Sequence, residues 1–157
     1  MLVFISGSIN SGKTTTAKAL AKKLGAVFVN VDDLNDTIQN FNLVSDLDKS
    51  MDLAIQTINN STRQGKDVIA NYVVRQKDFD RFENEVETQP QIVITLAPRL
   101  EVAQSKRGDR ELSEWEVSRI KHHYDRGIAS PKFGHIIDNS DLTLDETVNS
   151  ILHIIKN

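Results

Sequence analysis

The chain has 157 residues, 39% hydrophobic and 26% charged, which predicts one globular domain, 1–157, able to bury a core without disulfides or a structural metal. It contains no Cys, so thiol catalysis and Cys-ligated zinc are excluded. A formal charge of −3 argues against a protein devoted to nucleic-acid backbone, and no apolar run approaches the length of a membrane span, so the cytoplasm is the expected compartment. In chain order, Leu2-Val3-Phe4-Ile5 is a continuous apolar run suited to a central parallel strand. It leads into Gly7-Ser8-Ile9-Asn10-Ser11-Gly12-Lys13-Thr14, which fits the phosphate-loop pattern G-x-x-x-x-G-K-[ST]. The chemistry rests on backbone: Gly7 and Gly12 let the turn approach an anion, so that N–H groups and a helix N-terminus face phosphate oxygens. Asn10, Ser11 and Thr15 belong to the same nucleotide-binding turn. Lys13 is placed to reach β- and γ-phosphates, and the Thr14 hydroxyl to hold Mg²⁺.

The helix that follows carries Ala17, Leu20, Ala21 and Leu24 at i, i+3, i+4, i+7, and Gly25 stops it. Ala26 to Val31 reads as a second strand running into Asp32-Asp33, two acids at a carboxyl end, where open α/β sheets bind ligands. Either acid would equally serve as an N-cap for the short helix and loop spanning Leu34 to Leu43. Ser45 and Asp48 have capping-box spacing before a helix whose stripe is Leu47, Met51, Ala54, Ile55 and Ile58. Val68 to Ala70 is a third strand ending near Asn71, and Asp78 to Thr88 a helix with Phe79, Phe82 and Val86 inward. Arg75 either holds substrate or pairs with Asp78.

Ile92 to Leu96 is the fourth strand, and a helix over Leu100 to Lys106 is interrupted by Arg107-Gly108-Asp109-Arg110. Ser113 and Glu116 open another helix that continues to about Arg126. On it, His122 and His123 diverge by about 100° and share no metal; with Arg119, Lys121 and Arg126 they read as a solvated basic face. His135 to Asp138 is a short last strand, followed by Asn139-Ser140 and a helix capped by Thr143 and Glu146 that buries Leu144, Val148, Ile151, Leu152 and Ile155. Strands alternating with helices give a parallel, three-layer α/β sheet.

No D-x-x-G or N-K-x-D occurs, so a GTPase switch is set aside, and the third strand ends near Asn71 rather than in the metal-holding Asp of motor ATPases. The phosphate loop, the Asp32-Asp33 pair, the paired arginines and Asp138-Asn139-Ser140, in that order, resemble the small P-loop kinases. Within them the chain looks most like the shikimate kinase, gluconate kinase and chloramphenicol phosphotransferase group, tunicamycin-resistance-like proteins included. The resemblance covers nearly the whole chain, with only the phosphate loop highly specific. It implies a P-loop fold with a five-stranded parallel sheet in the order 2-3-1-4-5, a small lid near 105–116, and transfer of the ATP γ-phosphoryl to an alcohol. It also implies catalytic roles for Lys13, Asp32 and Arg110, with Asp32 receiving the hydroxyl proton and Arg110 on the phosphates. Arg107, Asn139 and Ser140 fall on the adenine side, and Asp33, Asn71 and Arg75 near the acceptor. ATP, Mg²⁺ and a small-molecule acceptor, antibiotic-, sugar- or polyol-like, are the implied partners of a monomer or homodimer. Shikimate kinases have glycines where this chain has Asn71-Tyr72-Val73, which sets shikimate aside. The Asp-Asp pair also resembles polynucleotide 5′-kinases, but their phosphate-clamping Arg is Asn35 here, leaving nucleotide or nucleoside acceptors as the alternative. A nucleotide-binding regulatory module is the non-enzymatic alternative; a candidate base and a candidate lid favour the kinase.

Overall fold

The computed structural model describes residues 1–40, 42, 46–89 and 91–157. Five parallel strands form one sheet in the order β2-β3-β1-β4-β5, where β1 is Leu2–Gly7, β2 Val27–Asn30, β3 Val68–Asn71, β4 Gln91–Leu96 and β5 His135–Ile137. The expected topology is the observed one. Helices α1 (Lys13–Leu24), α2 (Val31–Leu34), α3 (Leu47–Arg63), α4 (Gln76–Glu85), α5 (Leu100–Ala103), α6 (Glu114–Asp125) and α7 (Leu144–Lys156) connect and cover the strands. No helix among the described residues is long and apolar enough to cross a membrane.

The pleat of β1 divides the core. Leu2 and Phe4 join the stripe Met51, Ala54, Ile55 and Ile58 of α3 and Phe82 of α4, whereas Val3 and Ile5 join Ala17, Leu20 and Ala21 of α1 and Val148 and Ile151 of α7. All four β1 side chains are fully buried, which is why that run is apolar at every position rather than alternating. Phe4 stacks on Phe82 with ring centroids 4.2 Å apart, tying the sheet's middle to α4. Burial at this level contributes roughly 1.5–3 kcal/mol for each large aliphatic or aromatic side chain.

The helix ends show where sequence and structure part. The predicted capping boxes at Ser113/Glu116 and Thr143/Glu146 are present, each hydroxyl accepting from the N3 backbone and each carboxylate from the N-cap N–H. The proposed Ser45–Asp48 box lies outside the described residues at Ser45; Asp46 stands at the N-cap of α3 and its carboxylate accepts from the Asn42 N–H at 2.8 Å. Helix α4 starts at Gln76, earlier than expected, because Asp78 turns back onto the Arg75 N–H at 3.0 Å. Leu144 is exposed rather than buried: it opens α7, one turn before the first core position, Val148. Just before β5, Gly134 has a φ of +68°, and a Cβ there would overlap the Val93 carbonyl oxygen and lie 2.9 Å from the Val93 Cβ. Only glycine lets that loop close so tightly against β4.

Candidate active site

All five strands point the same way, so their carboxyl ends share one edge. From β1 the chain moves first to β2 and β3 on one side, then to β4 and β5 on the other, and this reversal of direction opens the crevice where such sheets bind ligands. The Gly7–Thr14 turn crosses that crevice between β1 and α1. Gly7 is obligatory there: a Cβ would lie 2.5 Å from both the Leu96 carbonyl oxygen and Ser11 Oγ. Asn10 adopts a left-handed φ of 59° and projects outward, its amide donating to the carbonyls of Ala103 at 2.8 Å and Ser105 at 2.9 Å. Asn139 braces the turn from β5, donating to the Ser11 carbonyl at 3.0 Å.

Lys13 Nζ folds back onto the Ser8 carbonyl at 3.2 Å. Burial holds its pKa below the ordinary lysine value, with the Asp32 carboxylate opposing the shift and Arg110 adding to it. Asp32 carries the opposite perturbation: desolvation by the surrounding protein raises it, Lys13 and Arg75 pull it down and Asp33 pushes it up. The residue is nonetheless exposed to solvent. Neither Asp32 nor Asp33 caps a helix, correcting one of the two sequence readings: both lie inside α2, whose N-cap is Asn30. Asp33 instead accepts from the Asn30 amide at 2.7 Å, which points its carboxylate back along β2, so Asp32 is the acid coupled to Lys13.

Asn71, at the end of β3, donates to Thr14 Oγ1 at 3.1 Å and to Asn30 Oδ1 at 2.7 Å. Among the described residues its own buried Oδ1 finds no partner, nor do Ser11 Oγ and Asn139 Oδ1. Among the described residues no group of three His, Asp or Glu side chains converges as a metal site. The set fits Mg²⁺ held as P-loop proteins hold it, by one hydroxyl with water and phosphate completing the shell: Thr14 Oγ1 supplies the hydroxyl, and the orphaned Asn71 Oδ1 can accept from a shell water.

A cavity of about 390 Å³ lies over the turn, lined by Gly12, Lys13, Thr14, Thr15, Arg107, Arg110, Asn139, Leu142 and Leu144. The expected nucleotide side is thus assembled in one place, and exposed Leu144 belongs to its wall. Arg107 donates to the Asn10 carbonyl at 3.2 Å, and Arg110 pairs with Glu116 while its field reaches Lys13. These two arginines face each other in an antiparallel bridge across a tight turn at Gly108. Ser140 is turned away: its hydroxyl accepts from the Arg99 N–H at 2.8 Å and donates to Asp138, so its role is to shape the loop carrying Asn139.

A second cavity, of about 490 Å³, was not anticipated; it meets the turn through His123, which contacts Ser8. Arg75 lines it, as do Arg119, His122, His123 and Arg126 from α6. His123 is 5% exposed and its Nδ1 lies 3.1 Å from Ser8 Oγ, so His123 leaves the solvated basic face expected of this stretch, while Lys121, His122 and Arg126 are exposed as expected. Burial first, then the charges of Arg119, Arg75 and Lys13, push His123 down to about 4 and keep it neutral. A signal existed in the sequence. Arg119, His122, His123 and Arg126 are spaced i, i+3, i+4, i+7, one helical stripe, whereas Lys121 lies off it and pairs with Asp125 at 2.7 Å.

No protein-family model matches this chain, and no curated protein matches it by sequence. Solved structures do match its fold. A sugar kinase from a Janibacter species superposes with a TM-score of 0.75 at 17% identity, covering 98% of this chain and 93% of that one. A gluconokinase from Sinorhizobium meliloti gives 0.73 at 13% identity over 97% and 89% of the two chains. A shikimate kinase from Bacteroides thetaiotaomicron gives 0.65 at 14% identity over 100% and 99%. The fold of this chain is that of the small P-loop kinases.

Proposed function

We propose that the chain is an ATP-dependent phosphotransferase that moves the γ-phosphoryl of ATP to a hydroxyl of a small molecule. One observation carries the reading: Lys13, in the wall of a cavity of small-molecule size at the end of a P-loop-patterned turn, is electrostatically coupled to Asp32, and a second such cavity reaches the same turn through His123 and Ser8. A second cavity leaves room for an acceptor, which a hydrolase or a purely nucleotide-binding switch does not require. The kinase fold of the neighbours supports the same reading.

In this mechanism the Gly7–Thr14 backbone and Thr15 hold the phosphates, and Lys13 leaves the Ser8 carbonyl to bind the β- and γ-oxygens. Thr14 would hold Mg²⁺, which when bound neutralises charge on those oxygens. Arg107 and the wall of Leu142 and Leu144 take the base and ribose, with Asn139 beneath them. Asp32 orients the acceptor hydroxyl and takes its proton as the oxygen attacks the γ-phosphorus; the bond from that phosphorus to the bridging oxygen breaks, and ADP leaves. Asn71 and Asp33 fix the floor beside Asp32. Residues 105–116 act as a lid whose Arg110 must leave Glu116 to reach the phosphates. The test is ATP consumption measured against a panel of sugars, polyols, antibiotics and nucleosides. Acceptor-dependent ADP release is expected, and slow release indifferent to every acceptor would favour the regulatory-module alternative.

A further inference from the structure

Resting on that phosphotransferase reading, we infer that His123 is a positioning residue for the phosphate turn: its ring, bonded to the Ser8 hydroxyl, holds the turn from α6 in the shape that receives phosphate. The bond, 3.1 Å between Ser8 Oγ and His123 Nδ1, spans 115 residues of sequence, so only the folded chain makes it. Both partners are sealed from water, Ser8 at 1% exposure and His123 at 5%. A neutral imidazole has one donor and one acceptor nitrogen, and a hydroxyl serves as either, so the pair is satisfied in both tautomers. Two apolar side chains of matching shape would fill the same space at least as stably, because a buried polar pair must first recover its own desolvation. Packing alone therefore does not explain why a histidine reaches into the turn.

What Ser8 does in the turn supplies the reason. Its carbonyl oxygen accepts from Lys13 Nζ at 3.2 Å and from the Ser11 N–H at 3.3 Å, so this one peptide sets both the resting place of the ammonium and the curl of the turn. Phosphate is received by N–H groups, and a Ser8 peptide free to rotate would offer its carbonyl oxygen instead, repelling the anion. When Lys13 leaves for the phosphates, the hydroxyl's bond to His123 still ties Ser8 to the body of the protein. Other braces act elsewhere on the turn, Asn139 on the Ser11 carbonyl and Asn10 on the carbonyls of Ala103 and Ser105. His123 is itself firmly held. Ile120, one turn earlier on α6, is fully buried, Tyr124 donates to the Pro98 carbonyl, and the His123 carbonyl accepts from the Ile128 N–H at 3.0 Å. A brace fixed at both ends lowers the ordering cost of binding, so a residue that does not touch the nucleotide still raises affinity for it. Because α6 begins at Glu114, within the proposed lid, the same bond ties the base of that lid to the turn.

The experiment is calorimetric binding of Mg-ATP, paired with the melting temperature, in wild type and a small set of variants. His123→Leu and Ser8→Ala should each weaken Mg-ATP about threefold to tenfold, and each should melt early because its partner is left buried and unpaired. Combining them removes both polar groups, so Ser8→Ala/His123→Leu should melt above either single variant while its Mg-ATP affinity stays about threefold to tenfold below wild type. His123→Asn, whose side-chain amide reaches the place of Nδ1, should bring Mg-ATP affinity back to within about twofold of wild type. A merely structural histidine would not split the two readouts: affinity would return with stability in the double variant. Wild-type Mg-ATP affinity in the double variant or in His123→Leu overturns the inference, as does a His123→Asn variant that binds no better than His123→Leu. Absence of Mg-ATP binding to the wild-type chain would remove the phosphotransferase reading itself, and the inference with it.

Discussion

At the scale of single residues, Asp32 presents a conflict between folding and function. The residue is exposed, yet its carboxylate is partly desolvated by protein around it, so its folded pKa lies above the ordinary aspartate value. The sign follows: with the folded pKa raised, the ionised group disfavours the fold at neutral pH, and that penalty fades as pH falls through the folded pKa toward the unfolded one. Asp32→Asn removes both the penalty and the proton acceptor. Transfer should fall about 10²-fold or more with Mg-ATP affinity retained, and the melting temperature should hold or rise slightly at pH 7, the gain disappearing near pH 4. A variant that transfers at full rate would make Asp32 structural, and one that melts well below wild type would restore the capping role that the N-cap at Asn30 denies it. The acid pair was legible in the sequence; which acid is tied down locally was not, because that depends on the Asn30–Asp33 hydrogen bond across one helical turn.

Elements follow the same logic. Strands and most helices were legible because their apolar periodicity is set by burial, and the boxes at Ser113 and Thr143 because capping is a local, four-residue chemistry. Boundaries were lost where a distant residue decides them. Helix α5 stops at Ala103 instead of running to Lys106 because Asn10, ninety-three residues earlier in the chain, donates to the Ala103 carbonyl and also to that of Ser105. Strand β2 stops at Asn30, level with Asn71 in β3, because the Asn71 amide takes the Asn30 side chain at the last rung of the ladder. The proposed lid carries the consequence for function. Arg107 and Arg110 close a tight turn rather than fray a helix, so the segment is a hairpin tip, held in this conformation by the exposed Arg110–Glu116 pair and the Arg107–Asn10 bond. A surface pair of this kind is worth about 0–1 kcal/mol, small enough for bound phosphate to displace. Arg110→Ala should therefore leave the melting temperature within about a degree or two, lower transfer about tenfold or more, and abolish the protease protection of residues 105–116 that ATP plus acceptor confers on wild type. Unchanged kinetics and protection would leave Arg110 as surface charge only.

For the molecule as a whole, the Gly7–Thr14 turn touches two unlike cavities, lining one that has a leucine wall and paired arginines and reaching the other, lined by cations without an acid, through the Ser8–His123 contact. The second escaped the sequence reading because a net charge of −3 averages over all faces, and because its wall is assembled from α4's cap, α6 and the loop before β5, segments that only the sheet topology brings together. A site built on the turn has a thermodynamic signature measurable on the whole fold. A ligand that binds only the folded state stabilises it by RT ln(1 + [L]/Kd), about 2.7 kcal/mol at a hundredfold excess over Kd. For a domain of this length each kcal/mol is worth about 2–4 °C, so saturating Mg-ATP should raise the melting temperature by about 5–11 °C. Lys13→Ala tests the origin of that shift. The buried ammonium has a lowered pKa, so its charged form costs the folded state stability at neutral pH, and its hydrogen bond to Ser8 offsets only part of that cost. The variant without ligand should accordingly melt at or above the wild-type temperature, yet lose most of the nucleotide-dependent shift. A variant that melts normally and is stabilised by Mg-ATP as much as wild type would place the nucleotide somewhere other than the Gly7–Thr14 turn.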